Sequence, residues 1–221
     1  MTSLQVVLVH GLYHQAAHMR PLVEALERRG AAVRVSNLHR GSLVDDTDAV
    51  QKAVDACEGK PVVVGHSYGG AVATGVKGAG AYVFMAAFVP DVGESCASLG
   101  GPDAPVNAFV RPFGEGFTHI PDHVAADLFY ADCTPAASRE ARRLLVPQAA
   151  GHGRGEVTVA GWRDTRSLYL MCAHDRAMSP RLQQSMADRC SDSRTLSASH
   201  SPYISMPQTV AEEIVRFAAS A

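Results

Sequence analysis

The chain has 221 residues, of which 47% are hydrophobic and 19% charged, and this composition is typical of a globular protein and excludes intrinsic disorder. Its length predicts a single domain that carries at most one insertion. The 20 basic and 22 acidic residues leave a net charge of −2. Because no basic surplus is available to neutralise phosphates, we expect the chain to bind neither nucleic acid nor a membrane surface.

Several features indicate the cytoplasm. The first apolar run, Leu4–Val9, is preceded by no basic region and followed by no small-residue cleavage site, so it does not resemble a secretory signal. No apolar run approaches the roughly 20 residues that span a bilayer. The five cysteines are scattered and form no CxxC pair, which favours reduced thiols over disulfides or structural zinc.

Short apolar strands alternate with amphipathic helical patterns along the chain. The predicted strands are Leu4–Val9, Ala31–Leu38, Pro61–Gly65, Ala81–Ala87, Ser167–Ala173 and Arg194–Ser199. The predicted helices are Arg20–Arg29, Thr47–Glu58, Pro180–Cys190 and Pro207–Ala219. This alternation predicts an α/β protein with a doubly wound, mostly parallel sheet.

The segment 91–166 interrupts this pattern, because it is far longer than an ordinary crossover between parallel strands. Its first half is rich in glycine and proline, and its second half predicts helices near Asp122–Ala131 and Thr134–Pro147. We interpret it as a helical cap inserted into a core formed by residues 1–90 and 167–221.

The sequence GHSYG at 65–69 is the strongest functional signal. It follows a predicted strand and precedes a helical stretch, and this is the context in which a GxSxG turn exposes a nucleophilic serine, here Ser67. After the first strand, Gly11 permits a sharp turn that would orient the N–H of Leu12. Together with the N–H of Tyr68, this predicts an oxyanion hole, although a plain turn at Leu12 explains the pattern equally well.

Two further residues complete a catalytic pattern. His200 follows the last predicted strand, where it could act as a general base on Ser67, and Asp175 follows the preceding strand, where it could orient His200. The order Ser67, Asp175, His200 is the order of an α/β-hydrolase triad. Asp91 is a second, less favoured acid.

The remaining histidines include several that we interpret as packing or surface residues: His39, His66, His119, His123 and His152.

The whole chain resembles the α/β-hydrolase superfamily, and in particular the branch of methylesterases and hydroxynitrile lyases. The matching stretches are 6–14 (VVLVHGLYH), 64–70 (VGHSYGG), 85–95 (MAAFVPDVGES), 128–133 (LFYADC) and 200–202 (HSP). The resemblance implies an α/β-hydrolase fold with Ser67 as nucleophile, His200 as base, Asp175 as its acid and the oxyanion hole at Leu12 and Tyr68. It also implies that the cap forms the substrate tunnel.

Four residues are candidate substrate contacts. Tyr13 and His14 follow the first strand, and Phe129 and Tyr130 lie on a predicted cap helix. The alternative is that these cap aromatics only pin the cap to the sheet.

The leading hypothesis is a serine hydrolase that cleaves a small, rather apolar carboxylic ester, lactone or thioester without a cofactor. The alternative is a triad-based lyase or cyclase, and a ligand receptor without activity is less favoured. The lyases of this branch carry a lysine beside the catalytic histidine, whereas this chain has Ser201, which disfavours that chemistry.

No zinc motif is present, and a metal pair of His10 and His14 is disfavoured because both lie in a predicted loop. The oligomeric state is left open.

Overall fold

A computed structural model describes residues 3–39 and 41–220, so the predicted core limits at residues 1 and 221 lie outside the described residues. The strands are β1 (Gln5–Val9), β2 (Ala32–Val35), β3 (Val62–His66), β4 (Ala81–Met85), β5 (Arg111–Phe113), β6 (Phe117–His119), β7 (Gln148–Ala149), β8 (Ser167–Cys172) and β9 (Asp192–Leu196). The α-helices are α1 (Arg20–Glu27), α2 (Leu43–Asp55), α3 (Gly69–Thr74), α4 (Cys96–Gly100), α5 (Asp122–Phe129), α6 (Pro135–Arg143), α7 (Pro180–Ala187), α8 (Pro202–Ser205) and α9 (Pro207–Ala219). Short 3₁₀ turns occur at Ala16–Met19, Pro105–Phe109, His152–Arg154 and Gly161–Arg163.

Six strands form one parallel sheet in the order β2-β1-β3-β4-β8-β9. The central strands β3 and β4 are buried along their whole length, which explains their continuous apolar sequences. The predicted doubly wound, mostly parallel sheet is therefore confirmed.

Alternate residues of each strand face opposite layers of helices, as the period of two in a β-strand requires. In β1, Val6 and Leu8 pack with the apolar faces of α1 and α9. Val7 and Val9 point the other way and pack with α2, α3 and α7. Helices therefore cover both faces of the sheet, and a site can form only at the ends of its strands.

Several predicted boundaries differ from those of the structure, and two of the differences have a clear physical reason. The second helix begins at Leu43 rather than Thr47, because the side chain of Ser42 accepts the N–H of Asp45 and caps the helix one turn earlier. The second strand is limited to Ala32–Val35, since only these residues pair with β1.

The segment 91–166 contains α4, α5 and α6, and in addition a small antiparallel sheet in the order β5-β6-β7. The two helices predicted for its second half are present as α5 and α6, whereas the small sheet was not predicted. The three-residue strands β5 and β6 are mostly exposed, so they lack the alternating apolar pattern by which strands are recognised.

All five cysteines are free thiols, in agreement with the sequence. Within residues 3–39 and 41–220, no helix is both long and apolar enough to cross a membrane.

Candidate active site

The predicted catalytic and oxyanion-hole residues follow four strands of the parallel sheet. Leu12 follows β1, Ser67 follows β3, Asp175 follows β8 and His200 follows β9. Because all four strands are parallel, their carboxyl ends lie at one edge of the sheet, where ligands bind in open α/β folds. The topology therefore brings together residues that are far apart in the sequence.

Ser67 occupies a strained turn between β3 and α3. Its φ angle is 53°, in the left-handed region that non-glycine residues rarely adopt. The turn is possible only because the two positions after Tyr68 lack side chains. A Cβ on Gly69 would lie 2.4 Å from Val9 O, and one on Gly70 would lie 2.2 Å from Phe88 O. The two glycines let α3 approach the strand ends and raise Ser67 above the sheet.

The backbone N–H groups of Leu12 and Tyr68 are available to bind an anion. Among the residues that the structure describes, neither group donates a hydrogen bond to the protein. Gly11 makes the approach of the two loops possible, because a Cβ there would lie only 3.0 Å from Ser67 Cβ. This arrangement is compatible with the oxyanion hole predicted at Leu12 and Tyr68.

The Asp175–His200 pair is buried and well organised. His200 Nδ1 donates to Asp175 Oδ2 at 2.8 Å. The other carboxylate oxygen accepts the N–H groups of Ala177 and Met178 at 2.7 and 2.9 Å. These two backbone donors hold the carboxylate against His200 and stabilise its charge.

His66 supports the loop of His200 from behind. Its Nε2–H donates to the backbone carbonyl of His200 at 2.8 Å, and the two ring centroids are 4.7 Å apart. Complete burial lowers the pKa of His66 well below its usual range, with a smaller contribution from His200. His66 is thus a buried packing residue whose hydrogen-bond partner is 134 residues away in the sequence.

Ser67, Leu12, Tyr68 and His200 line one cavity of about 1020 Å³. The cavity lies between the carboxyl edge of the sheet and the segment 91–166, which supplies part of its wall. The apolar side chains of the wall include Phe88, Val106, Val110, Phe129, Met178 and Leu182.

The four candidate substrate contacts separate into two pairs. Tyr13 and Phe129 line the cavity. His14 and Tyr130 are not part of its described wall; both are buried and bond to each other, with Tyr130 Oη 2.9 Å from His14 Nε2. His14 Nδ1 also lies 2.8 Å from the Leu12 carbonyl. We therefore assign His14 and Tyr130 to the support behind the cavity rather than to contact with a ligand.

The alternative acid, Asp91, lies elsewhere. It pairs with Arg163, whose hydrogen bonds lower the pKa of Asp91 to about 2. Asp91 is absent from the described cavity wall, and the acid bonded to His200 is Asp175.

Sequence reasoning missed a second buried polar cluster, formed by Asp46, Tyr68 and His152. His152, interpreted above as a packing or surface residue, is 6% exposed and donates from Nε2 to Asp46 Oδ2 at 2.7 Å. The sequence holds no local signal for this contact, because the partners are 106 residues apart and Asp46 resembles an ordinary acid of a helix first turn.

In the described ranges, no group of three or more metal-ligating side chains is placed to hold an ion. The disfavoured pair, His10 and His14, is engaged in local contacts instead, since each ring nitrogen Nδ1 bonds to a neighbouring backbone carbonyl.

The chain belongs to the alpha/beta hydrolase family, whose model matches residues 6–213. Its structure is similar to that of a pyrethroid hydrolase from Sphingobium faniae JZ-2, with a TM-score of 0.87, 20% identity and coverage of 99% of this chain and 98% of the other. It is also similar to a methylesterase from Arabidopsis, with a TM-score of 0.84, 16% identity and coverage of 99% and 100%.

Polyneuridine aldehyde esterase is a third similar structure, with a TM-score of 0.84, 17% identity and coverage of 98% and 100%. No curated protein sequence matches the chain significantly. The predicted resemblance to the methylesterase-like branch is thus confirmed for the fold.

Proposed function

We propose that this α/β-hydrolase is a serine hydrolase that cleaves apolar carboxylic esters through Ser67, His200 and Asp175. The observation that carries the proposal is the shared cavity, whose wall includes Ser67, His200 and both free N–H donors, while His200 is bonded to a buried carboxylate. Nucleophile, base and anion site thus surround one space, which is the arrangement that acyl transfer requires.

In the proposed mechanism, His200 Nε2 removes the proton of Ser67 as Oγ attacks the ester carbonyl. The N–H groups of Leu12 and Tyr68 stabilise the oxyanion of the tetrahedral intermediate. His200 then protonates the leaving alcohol, and the acyl group remains on Ser67. A water molecule, activated by the same base, releases the acid and restores the enzyme.

The cavity supports a bulkier substrate than the small ester expected from the sequence. Its volume of about 1020 Å³ is at the upper end of the ~300–1,000 Å³ range for sites that enclose drug-sized ligands. The similar structures include proteins named as pyrethroid hydrolase, methylesterase and polyneuridine aldehyde esterase, which is consistent with an ester as substrate class. We therefore propose an ester whose acyl or alcohol part fills an apolar pocket.

The structure offers little support for the lyase alternative. Ser201, at the position where the lyases of this branch carry a lysine, is fully buried and is not part of the described cavity wall. It is therefore not placed to meet a leaving group.

The test is to incubate the protein with a fluorophosphonate and with p-nitrophenyl esters of increasing chain length, with Ser67→Ala as the matched control. We expect a covalent adduct on Ser67 and turnover that the control lacks, with longer acyl chains preferred over acetate. If Ser67 stays unlabelled and the wild type is no faster than the control, the proposal is wrong.

A further inference from the structure

Three buried side chains form a triangle of polar contacts beside Ser67. The Tyr68 hydroxyl donates to Asp46 Oδ2 at 2.9 Å, and His152 Nε2–H donates to the same oxygen at 2.7 Å. Tyr68 Oη and His152 Nε2 are themselves 2.9 Å apart. Asp46 is 0% exposed, so the carboxylate has been moved out of water and its hydrogen bonds are strong.

The triangle joins three parts of the chain. Asp46 lies in the first turn of α2, Tyr68 is the residue after the candidate nucleophile, and His152 belongs to the segment 91–166. Tyr68 and His152 both line the cavity. The next residue, Gly153, packs beside the other oxyanion-hole residue, since a Cβ there would lie 3.8 Å from Leu12 Cδ1.

The electrostatics keep Tyr68 a donor. Burial raises the pKa of its phenol far above the usual range, and the neighbouring charge of Asp46 raises the pKa further. The hydroxyl is therefore protonated at neutral pH, and its best acceptor is the carboxylate. His152 adds a ring contact, with its centroid 5.0 Å from that of Tyr68.

We propose that Asp46 and His152 are positioning residues that fix Tyr68 and thereby aim its backbone N–H at the oxyanion, an inference that rests on the proposed ester hydrolysis. Tyr68 immediately precedes α3 and follows a residue with a strained φ angle. Within the backbone, the Ser67–Tyr68 peptide is held on its carbonyl side, where Ser67 O accepts the N–H groups of Gly70 and Phe88 at 3.0 and 3.1 Å. The triangle holds the far end of the Tyr68 side chain, and the two restraints together fix the direction of the N–H.

This role matters because an oxyanion donor works only in the correct geometry. Removal of such a donor costs about 10²–10³ in kcat, and a displacement of about 1 Å can cost about 10². We therefore expect Asp46→Asn, Tyr68→Phe and His152→Leu each to lower kcat/KM for an ester by about 10–100-fold.

A matched pair of His152 variants and one control variant distinguish a loss of Tyr68 positioning from a loss of protein stability. In His152→Gln the amide nitrogen of the new side chain replaces Nε2 as a donor to Asp46, so this variant should keep most of the activity that His152→Leu loses. Tyr82→Phe is the control, because Tyr82 is also a buried tyrosine whose hydroxyl donates a single hydrogen bond, to Val76 O at 3.0 Å, but it does not line the cavity. It should lower the melting temperature while the rate stays unchanged.

A second measurement does not depend on turnover. The chain has six tyrosines, so protein labelled with ¹⁵N-tyrosine gives six amide signals, and the one that is missing in Tyr68→Phe belongs to Tyr68. We expect this signal to move more than the other five in Asp46→Asn and His152→Leu, and little in His152→Gln.

Each outcome decides between the hypotheses. If the Tyr68 amide signal stays in place in both Asp46→Asn and His152→Leu, or if these variants keep wild-type kcat/KM, the positioning role is refuted while ester hydrolysis stands. If the wild type has no turnover and no Ser67 adduct, ester hydrolysis is refuted, and the amide signals alone still decide whether the triangle fixes Tyr68.

Discussion

Replacing Asp175 by asparagine is the sharpest test of the proposed triad. In the structure, Asp175 Oδ1 accepts the N–H groups of Ala177 and Met178, and Oδ2 accepts from His200 at 2.8 Å and from Gln183 Nε2 at 3.2 Å. All four of these contacts require oxygen atoms. An asparagine has one oxygen and one amide nitrogen, so it can satisfy only half of them.

The two backbone donors are rigid, and they will hold the remaining oxygen at the position of Oδ1. The amide nitrogen then faces His200 Nδ1 and can only donate to it. The imidazole must therefore carry its proton on Nε2, the atom that should receive the proton of Ser67. Because this is the wrong tautomer, we expect kcat to fall by about 10³–10⁴-fold, which corresponds to about 4–5.5 kcal/mol of transition-state stabilisation.

The assay is the hydrolysis of a p-nitrophenyl ester, with the folded fraction measured by circular dichroism. Asp91→Asn is the matched control, because it also removes a hydrogen-bonded carboxylate, which pairs with Arg163 and lies away from the cavity. We expect it to keep the wild-type rate. If Asp91→Asn loses activity and folded Asp175→Asn keeps it, the triad assignment is wrong.

Three further predictions follow from the same contacts. Phe129→Ala should change the kcat/KM ratio between bulky and small esters by ~1–3 kcal/mol, because Phe129 lines the cavity. Tyr130→Phe is the control, and it should lower the melting temperature and leave that ratio unchanged. Gly70→Ala should abolish fluorophosphonate labelling, because its Cβ would lie 2.2 Å from Phe88 O, whereas Gly41→Ala, with no contact closer than 3.7 Å, should label normally. Burial lowers the pKa of His18 to about 4 from 6.5, so the unfolded chain binds more protons between these values. The contribution of His18 to the unfolding free energy should therefore fall by about 3 kcal/mol from pH 6.5 to pH 4. Denaturant titrations of His18→Gln should show a smaller fall than those of the wild type, and an equal fall would contradict this.

The sequence could predict those parts of the molecule that depend on periodicity and chain order. The β-branched run of β1 and its neighbours identifies a buried parallel sheet, and parallel strands necessarily bring their carboxyl ends together. Ser67, Asp175 and His200 each follow such a strand, so their shared edge could be predicted without coordinates. The short turn between β3 and α3 could be predicted as well, because its glycines are local to Ser67.

Contacts between distant polar residues could not be predicted in this way. Asp46 and His152 are separated by 106 residues, and His14 and Tyr130 by 116. No period or spacing links such partners, and each residue by itself is compatible with a helix first turn, a loop or a surface. The small sheet of the segment 91–166 could not be predicted either, because its exposed strands show no alternation of apolar and polar residues.

The segment 91–166 does more than close the pocket. Phe129 supplies part of the cavity wall from one of its helices, and its ring centroid is 5.6 Å from that of His200. His152 reaches from the same segment to Asp46 in the core and to Tyr68 beside the nucleophile. A change in the position of the segment would therefore alter the pocket shape and the support of Tyr68 together. Under the proposed function, substrate fit and oxyanion geometry would be coupled through this segment, because Phe129 and His152 both belong to it.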